Sequence, residues 1–349
     1  MATAKQWSLV NESEQTQIAY ENPFFVQLYQ PQAVSVREEL LRGLTHNGQA
    51  GGAWIAPKFL YDALGSRLFD AITELPEYYP TRTEADIVRV HGHAIARSVP
   101  SHATLIDLGA GNCAKAARLF DSLSPRRYVA VDISVDYLRE ALDQLQRRYP
   151  TLDMLGVGQD FSHTLALPAE VGTPSDGPKV FFYPGSSIGN FTPDQALAFL
   201  RQVHAVCVQS SGSGLLIGVD LLKDAVELEA AYDDALGVTA AFNRNLLVHV
   251  NRLCGSDFRL PDWAHLARFN SELSRVEMHV QARRAVRVQW LGGERHFAQG
   301  ECVHTESSYK WTVAGFSALL QRAGFSVPTV WTDADTPEQG RFAVMWAPA

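Results

Sequence analysis

Between Pro57 and Val88, Leu60, Leu64, Leu68 and Ile72 recur at helical spacing, with Phe69 beside the stripe they form. The pattern predicts one amphipathic helix that Pro76 ends, followed by EYYPTR as a loop carrying two aromatics and an arginine. Upstream, about the first 50 residues mix polar and apolar groups without a clear period. From about residue 84 the texture changes to apolar runs that alternate with helical stretches. ATLIDLGAGNCAKAARLF reads as strand, glycine turn and alanine-rich helix. RRYVAVDIS is a second strand, followed by the helical VDYLREALDQLQRRY. MLGVGQDF, KVFFYPGSSIGNF and GSGLLIGVDLL are further strands, with PDQALAFLRQVHAV a helix before the last. Strands alternating with helices predict a parallel sheet wound on both faces, an α/β fold with its ligand sites at the carboxyl ends of the strands.

The alternation breaks between about 223 and 310. DAVELEAAYDDALGVTAAFNRNLLVHVNRL is strongly helical, and RVEMHVQARRAVRVQWLGG alternates as antiparallel strands do, with QWLGGERHF a plausible hairpin. The helix–strand pattern resumes with YKWTVAGFSALLQRAGF and closes on SVPTVWTD and RFAVMWA. A doubly wound domain with an insertion, packed with the N-terminal segment, fits this layout.

Composition narrows the class. The chain has 349 residues, 46% apolar and 19% charged, which is ordinary for a globular protein of two domains. A formal charge of −8 provides no general attraction to nucleic acid or to anionic lipid, so neither is expected as a partner. The four cysteines (Cys113, Cys207, Cys254 and Cys302) form no CxxC pair and read as reduced thiols. The start is polar, without the layout of a signal peptide, and no apolar run approaches the ~20 residues of a membrane helix. A cytoplasmic, monomeric protein is the expectation.

The glycine turn Leu108–Gly109–Ala110–Gly111–Asn112–Cys113–Ala114–Lys115 joins strand to helix. Glycines there let a ligand approach the backbone, and the helix start offers free N–H groups. Asp132 ends the next strand about 20 residues on, where an acid accepts ribose hydroxyls, whether of NAD or of S-adenosylmethionine. Asp160 and Phe161 end the third strand, where a carboxylate and a ring can hold an adenine. The third glycine of the dinucleotide motif is absent, which favours S-adenosylmethionine while leaving NAD open. The blander alternative is that these acids only cap turns.

The fourth strand ends in Tyr183–Pro184–Gly185–Ser186–Ser187–Ile188–Gly189–Asn190–Phe191, small residues with an amide that suit a small polar ligand, although Asn190 could equally close its own turn. Tyr61, Tyr78, Tyr79 and Tyr232 read more readily as packing residues than as ligand contacts. Glu306–Ser307–Ser308–Tyr309–Lys310 reads as a helix-cap region. No nucleophile–base pair and no HExxH or other metal-ligand spacing is evident, so no metal is expected.

Taken together, KFLYDALGSRLFDAITELPEYYPTRTE, IDLGAGNCAK, VDIS, FYPGSSIGNF, LLIGVDLLKD, AYDDALGVTAAFNRNLL, EMH and TESSYKW resemble the histidine-specific Nα-methyltransferases, which form hercynine (trimethylhistidine) in ergothioneine biosynthesis. The resemblance implies a Rossmann-like class I methyltransferase sheet with an inserted α+β substrate-binding domain. The S-adenosylmethionine domain would span 83–222 and 311–349, the substrate domain 1–82 and 223–310. It implies cofactor contacts at Tyr61, Gly109, Lys115, Asp132, Asp160 and Phe161, with Gly111 in the same turn. Tyr78, Asn190 and Tyr232 match the groups that hold the substrate's amino and carboxylate ends, beside Gly185. Glu306 and Ser308 match the pair that grips the imidazole, with Phe69 and Met278 beside that ring. Tyr61 and Asn190 are the expected catalytic residues.

Ser186 and Ser187 stand where the relative compared most closely has Gly and Thr, a small-for-small departure. Relatives that methylate tryptophan lack the acid at Glu306. Its presence here favours histidine, and the resemblance implies three successive transfers from S-adenosylmethionine to L-histidine, the first step of ergothioneine biosynthesis. The alternatives are another aromatic amino acid (tryptophan or tyrosine) as substrate, an NAD-dependent oxidoreductase, or a non-catalytic binding module of the same fold.

Overall fold

The structure, a computed structural model, describes residues 7–10, 17–20, 23–28, 33–46, 52–162, 164–172 and 177–349. The N-terminal stretch without a visible period contains an antiparallel pair, β1 (Trp7–Val10) and β2 (Gln17–Tyr20), then β3 (Phe24–Gln27) and the helix α1 (Ala33–Thr45).

The long helix expected from Pro57 is two elements. Pro57–Leu60 is a single 3-10 turn, and α2 (Ala63–Thr73) starts afresh with the Asp62 carboxylate accepting the Gly65 N–H at 2.8 Å. A side chain at position 65 would collide with the Leu60 carbonyl, 1.8 Å from where its Cβ would stand, so the glycine permits the junction. The restart breaks the expected stripe: Leu60 and Ile72 are buried, whereas Leu64 is 51% exposed. EYYPTR is a loop only at Glu77 and Tyr78. Tyr79 opens α3 (Tyr79–Ser98), and Pro80 sits in the first turn, where its missing N–H costs nothing.

The alternating region follows its pattern closely. β4 (Thr104–Leu108) leads through the glycine turn into two one-turn helices, α4 (Ala114–Ala117) and α5 (Phe120–Leu123), where one helix was expected. Then come β5 (Arg127–Asp132), α6 (Val135–Arg148), β6 (Asp153–Gly158), α7 (Ala169–Gly172), β7 (Lys179–Tyr183), α8 (Pro193–Cys207) and β8 (Gly214–Asp220).

The insertion starts with α9 (Ala225–Ala230) and α10 (Val238–Cys254). The break between these helices comes where Gly237 turns left-handed (φ +75°) and Asp234 accepts the N–H groups of Val238 and Thr239. β9 (Trp263–Asn270), β10 (Arg275–Ala282), the hairpin of β11 (Val286–Trp290) with β12 (Gly293–Phe297), and β13 (Cys302–Tyr309) follow. α11 (Val313–Ala323), β14 (Thr329–Thr332) and β15 (Phe342–Pro348) close the chain.

The large sheet has the order β14-β15-β8-β7-β4-β5-β6-β3. β3 through β8 pair in parallel, and β15 enters between β8 and β14 antiparallel to both. β3, from the segment expected in the substrate domain, thus joins the edge of this sheet. The chain winds outward from β4 through β5 and β6, then crosses back to place β7 on the other side of β4. That reversal puts the carboxyl ends of β4, β5 and β7 around one crevice, where ligands bind in such sheets. Strand alternation divides the core: Leu105 faces the apolar layer under α3 and α6, and Ile106 and Leu108 face the layer under α8 and α11. A third core joins α1, α2 and α10 to a smaller antiparallel sheet of order β13-β10-β9.

Candidate active site

The floor of the crevice is the glycine turn. Gly109 and Ala110 donate to the Val131 carbonyl, and Gly109 (φ +70°) and Gly111 (φ +52°) are left-handed. Open space lies over both: a Cβ at Gly111 would meet nothing within 4 Å, and one at Gly109 would just touch the Phe161 ring. Asp132 accepts the N–H groups of Gly111 (2.9 Å) and Ser134 (2.8 Å), which locks the turn to the end of β5. Burial raises this carboxyl's pKa, against the opposing effect of those N–H donors. Asp160 is half-buried, and Ser162 and Lys58 hold it below its ordinary range. Lys58, between Asp160 (3.1 Å) and Glu39 (2.8 Å), ties this wall to α1.

Gly109, Gly111, Asp132, Asp160, Phe161, Tyr61, Phe69 and Asn190 line one cavity of about 870 Å³. Two acids at successive strand ends, an open glycine floor and an aromatic wall fit a nucleoside carrying a charged tail, so the residues present suit S-adenosylmethionine. Among the described residues no cluster of His, Cys, Asp and Glu suits a metal ion. Nor is any helix there long and apolar enough to cross a membrane.

Lys115 does not line this cavity. Its ammonium pairs with Glu84 of α3 at 2.8 Å, and the other Glu84 oxygen accepts the Gly185 N–H at 2.8 Å. A Cβ at Gly185 (φ +73°) would lie 2.6 Å from that ammonium, so the glycine allows Lys115 to pass behind the β7 turn. Glu84 closes this corner and was not singled out from sequence, although it ends the PTRTE segment.

Beyond the cavity's aromatic side, Tyr61 meets Phe69 edge-on with centroids 5.6 Å apart, Phe69 meets Tyr78 at 6.1 Å, and Tyr78 meets Tyr232 at 6.2 Å. Burial raises the pKa of all three phenols well above the ordinary value, so each stays protonated at neutral pH. Glu306 and Ser308, expected in a helix cap, are instead buried in β13. Glu306 stands opposite Met278 of β10, where the register shifts between Met278 and His279. Thr305 is the extra residue there, and it donates to the Met278 carbonyl at 3.0 Å; the bulge fixes which way Glu306 faces. No side chain among the described residues hydrogen-bonds to the Glu306 carboxyl, and burial raises its pKa to about 7 against the pull of Lys310. The GSSIGN turn abuts β13: a Cβ at Gly189 would come within 3.4 Å of Ser308 Oγ. The turn that carries Asn190 is thereby packed on β13.

Sequence reading missed the polar core beneath this wall. Asp220, at the end of β8, accepts from Tyr79 (2.7 Å), Lys223 (2.6 Å) and Lys310 (2.7 Å). Lys310 also reaches Tyr232 and Ser308. Tyr232 and Ser308 are thereby joined on one charged support, whereas Gly185, its N–H taken by Glu84, lies apart at the β7 turn. Only the acid at the end of another apolar strand in LLIGVDLLKD hinted at that support.

The sheet order, the glycine floor and the paired acids define an S-adenosylmethionine-dependent methyltransferase. Residues 36–348 match the family model described as "histidine-specific methyltransferase, SAM-dependent", and the chain belongs to that family. The histidine N-alpha-methyltransferase of Mycolicibacterium smegmatis is 41% identical over 307 residues, covering 86% of this chain and 92% of that protein. The enzyme of the same name from Mycobacterium tuberculosis is 38% identical over 320 residues, 90% and 95% of the two chains. Ergothioneine biosynthesis protein 1 of Schizosaccharomyces pombe is 30% identical over 278 residues, 77% of this chain and 36% of its own length. Family membership sets the NAD-dependent reading aside.

Proposed function

We propose that this methyltransferase acts on the α-amino nitrogen of L-histidine, in three successive transfers that yield Nα,Nα,Nα-trimethyl-L-histidine (hercynine), the first step of ergothioneine biosynthesis. The observation that carries the substrate is Glu306, a buried carboxyl that no side chain among the described residues hydrogen-bonds, in a wall of protonated phenols. Such a group is costly unless a ligand supplies a donor, and an imidazole N–H is one. The names of the relatives support the same substrate.

The division of labour proposed is 83–222 with 311–349 for S-adenosylmethionine, and 1–82 with 223–310 for the amino acid, β3 being lent to the large sheet. Gly109, Gly111, Asp132, Asp160, Phe161 and Tyr61 hold the cofactor, with Lys115 steadying the β7 turn near its tail. When bound, S-adenosylmethionine supplies an electrophilic methyl group. The protein's part is to present a neutral amine close by and exclude water, for which positioning accounts for several kcal/mol. Asn190 and Tyr78 orient the amine lone pair, Tyr61 positions the amine, and Tyr232, its O–H given to Ser308, packs beside the substrate without donating to its carboxylate. The phenols hold their own protons, so the amine's proton leaves to water. Glu306 and Ser308 take the ring, flanked by Phe69 and Met278.

The test is incubation of the purified enzyme with S-adenosylmethionine and single amino acids, read by mass spectrometry. A gain of three methyl groups on histidine alone is expected. Methylation of tryptophan or tyrosine in its place overturns the Glu306 assignment.

A further inference from the structure

Lys310 has no exposed side-chain surface. Its ammonium donates to Asp220 Oδ2 at 2.7 Å, Tyr232 Oη at 2.9 Å and Ser308 Oγ at 2.8 Å, which uses all three of its N–H bonds. Tyr232 passes its own proton on, donating to Ser308 Oγ at 2.7 Å. Ser308 Oγ thus receives two hydrogen bonds, and a hydroxyl oxygen has two lone pairs. Its remaining capacity is its own O–H, which finds no acceptor among the described residues. Two residues away stands Glu306, whose ionised carboxyl can only accept. On the same face of β13, the two side chains therefore offer one obligatory donor and, once Glu306 is ionised, one acceptor.

We propose that Lys310, held by Asp220, is a positioning residue that fixes Ser308 as a hydrogen-bond donor, so that the pocket selects a neutral ring carrying one N–H and one bare nitrogen. This rests on the reading that the substrate's ring lies between Glu306 and Ser308. Without Lys310, one lone pair of Ser308 is freed and the hydroxyl can turn to accept, so the pocket no longer insists on a ring acceptor. Removing the lysine does not strand Asp220, which keeps Lys223 and Tyr79.

The experiment compares L-histidine with the pyrrolylalanines, which retain a ring N–H and lack the bare nitrogen. Unaltered enzyme is expected to bind them about 30- to 100-fold more weakly than histidine, since a buried donor is left unmatched. In Lys310→Met the gap is expected to close to within about fivefold, by a rise in the KM for histidine. The kcat at saturating histidine and the affinity for S-adenosylmethionine should change by less than about threefold, a split that a general loss of packing would not produce. A Lys310→Met enzyme that methylates histidine and keeps the full gap overturns the assignment of Lys310 alone. An unaltered enzyme that leaves histidine unmethylated overturns the substrate reading beneath it. If circular dichroism shows Lys310→Met unfolded, Ser308→Ala carries the test: loss of the gap supports Ser308 as the donor, and an undiminished gap overturns it.

Discussion

Glu277 and Glu306 stand on adjacent strands of the same small sheet, Glu277 paired across from Ser307 and Glu306 from Met278. Because strand residues alternate, the two carboxyls face opposite sides. Both are buried, at 3% and 7% exposure. Glu277 is surrounded by donors: Arg275 at 2.7 Å, and Asn270 and Arg268 each at 3.1 Å. Burial alone would raise its pKa, but these partners outweigh it and bring the value down to about 2. Glu306 has burial without such partners, and its pKa rises to about 7. A carboxylate saturated by its own protein holds the sheet together. One that no side chain among the described residues hydrogen-bonds can accept from a ligand instead.

Four substitutions sharpen or break this contrast. Glu277→Ala should cost about 3 kcal/mol of stability in denaturant titrations, the low end for a broken buried pair because Arg268 reaches solvent. An unchanged midpoint would mean the network is dispensable. Glu306→Ala should spare stability and weaken histidine binding by roughly 10- to 150-fold, the loss of a hydrogen bond to a charged group. S-adenosylmethionine affinity should stay level in calorimetry, and unchanged histidine affinity would place the ring elsewhere.

Glu306→Gln tests the sign of the pKa shift. The folded enzyme binds a proton at Glu306 up to pH about 7, whereas an unfolded glutamate releases it around its ordinary value of 4.5. Ionising this carboxyl therefore destabilises the ligand-free fold, a penalty absent below pH 4.5 and fully present above pH 7. Wild type should lose about 2 kcal/mol relative to the Gln variant between pH 5 and pH 8. Parallel profiles for the two proteins would remove the claim. The smallest effect expected is that of Tyr61→Phe, a fall in kcat of about tenfold with little change in binding, about 1.4 kcal/mol of positioning. Turnover at the wild-type rate would take Tyr61 out of the mechanism.

Much of the cofactor end was legible because its signals are local. The glycine turn after β4, Asp132 after β5, and Asp160 with Phe161 after β6 each lie within a few residues of the strand that presents them. The substrate end was legible only through the resemblance. Read by itself, ESSYK suggested a helix cap, since serines near an acid serve both purposes, and nothing local reports that β10 will pair with this segment. EYYPTR misled for a related reason: a proline that ends one helix is equally tolerated in the first turn of the next.

By itself, then, the chain's pattern determined the winding of the large sheet and the strand ends that carry the glycine turn and its two acids. Hydrophobic period and turn chemistry act over a few residues, so they can be read in order along the chain. Tertiary structure alone decided that Lys310 meets Asp220 across 90 residues, that the Thr305 bulge turns Glu306 towards the aromatic wall, and that Glu277 is satisfied while Glu306 is not. Whether a buried charge has partners depends on which distant strands pair with it, and that is set when the sheets close.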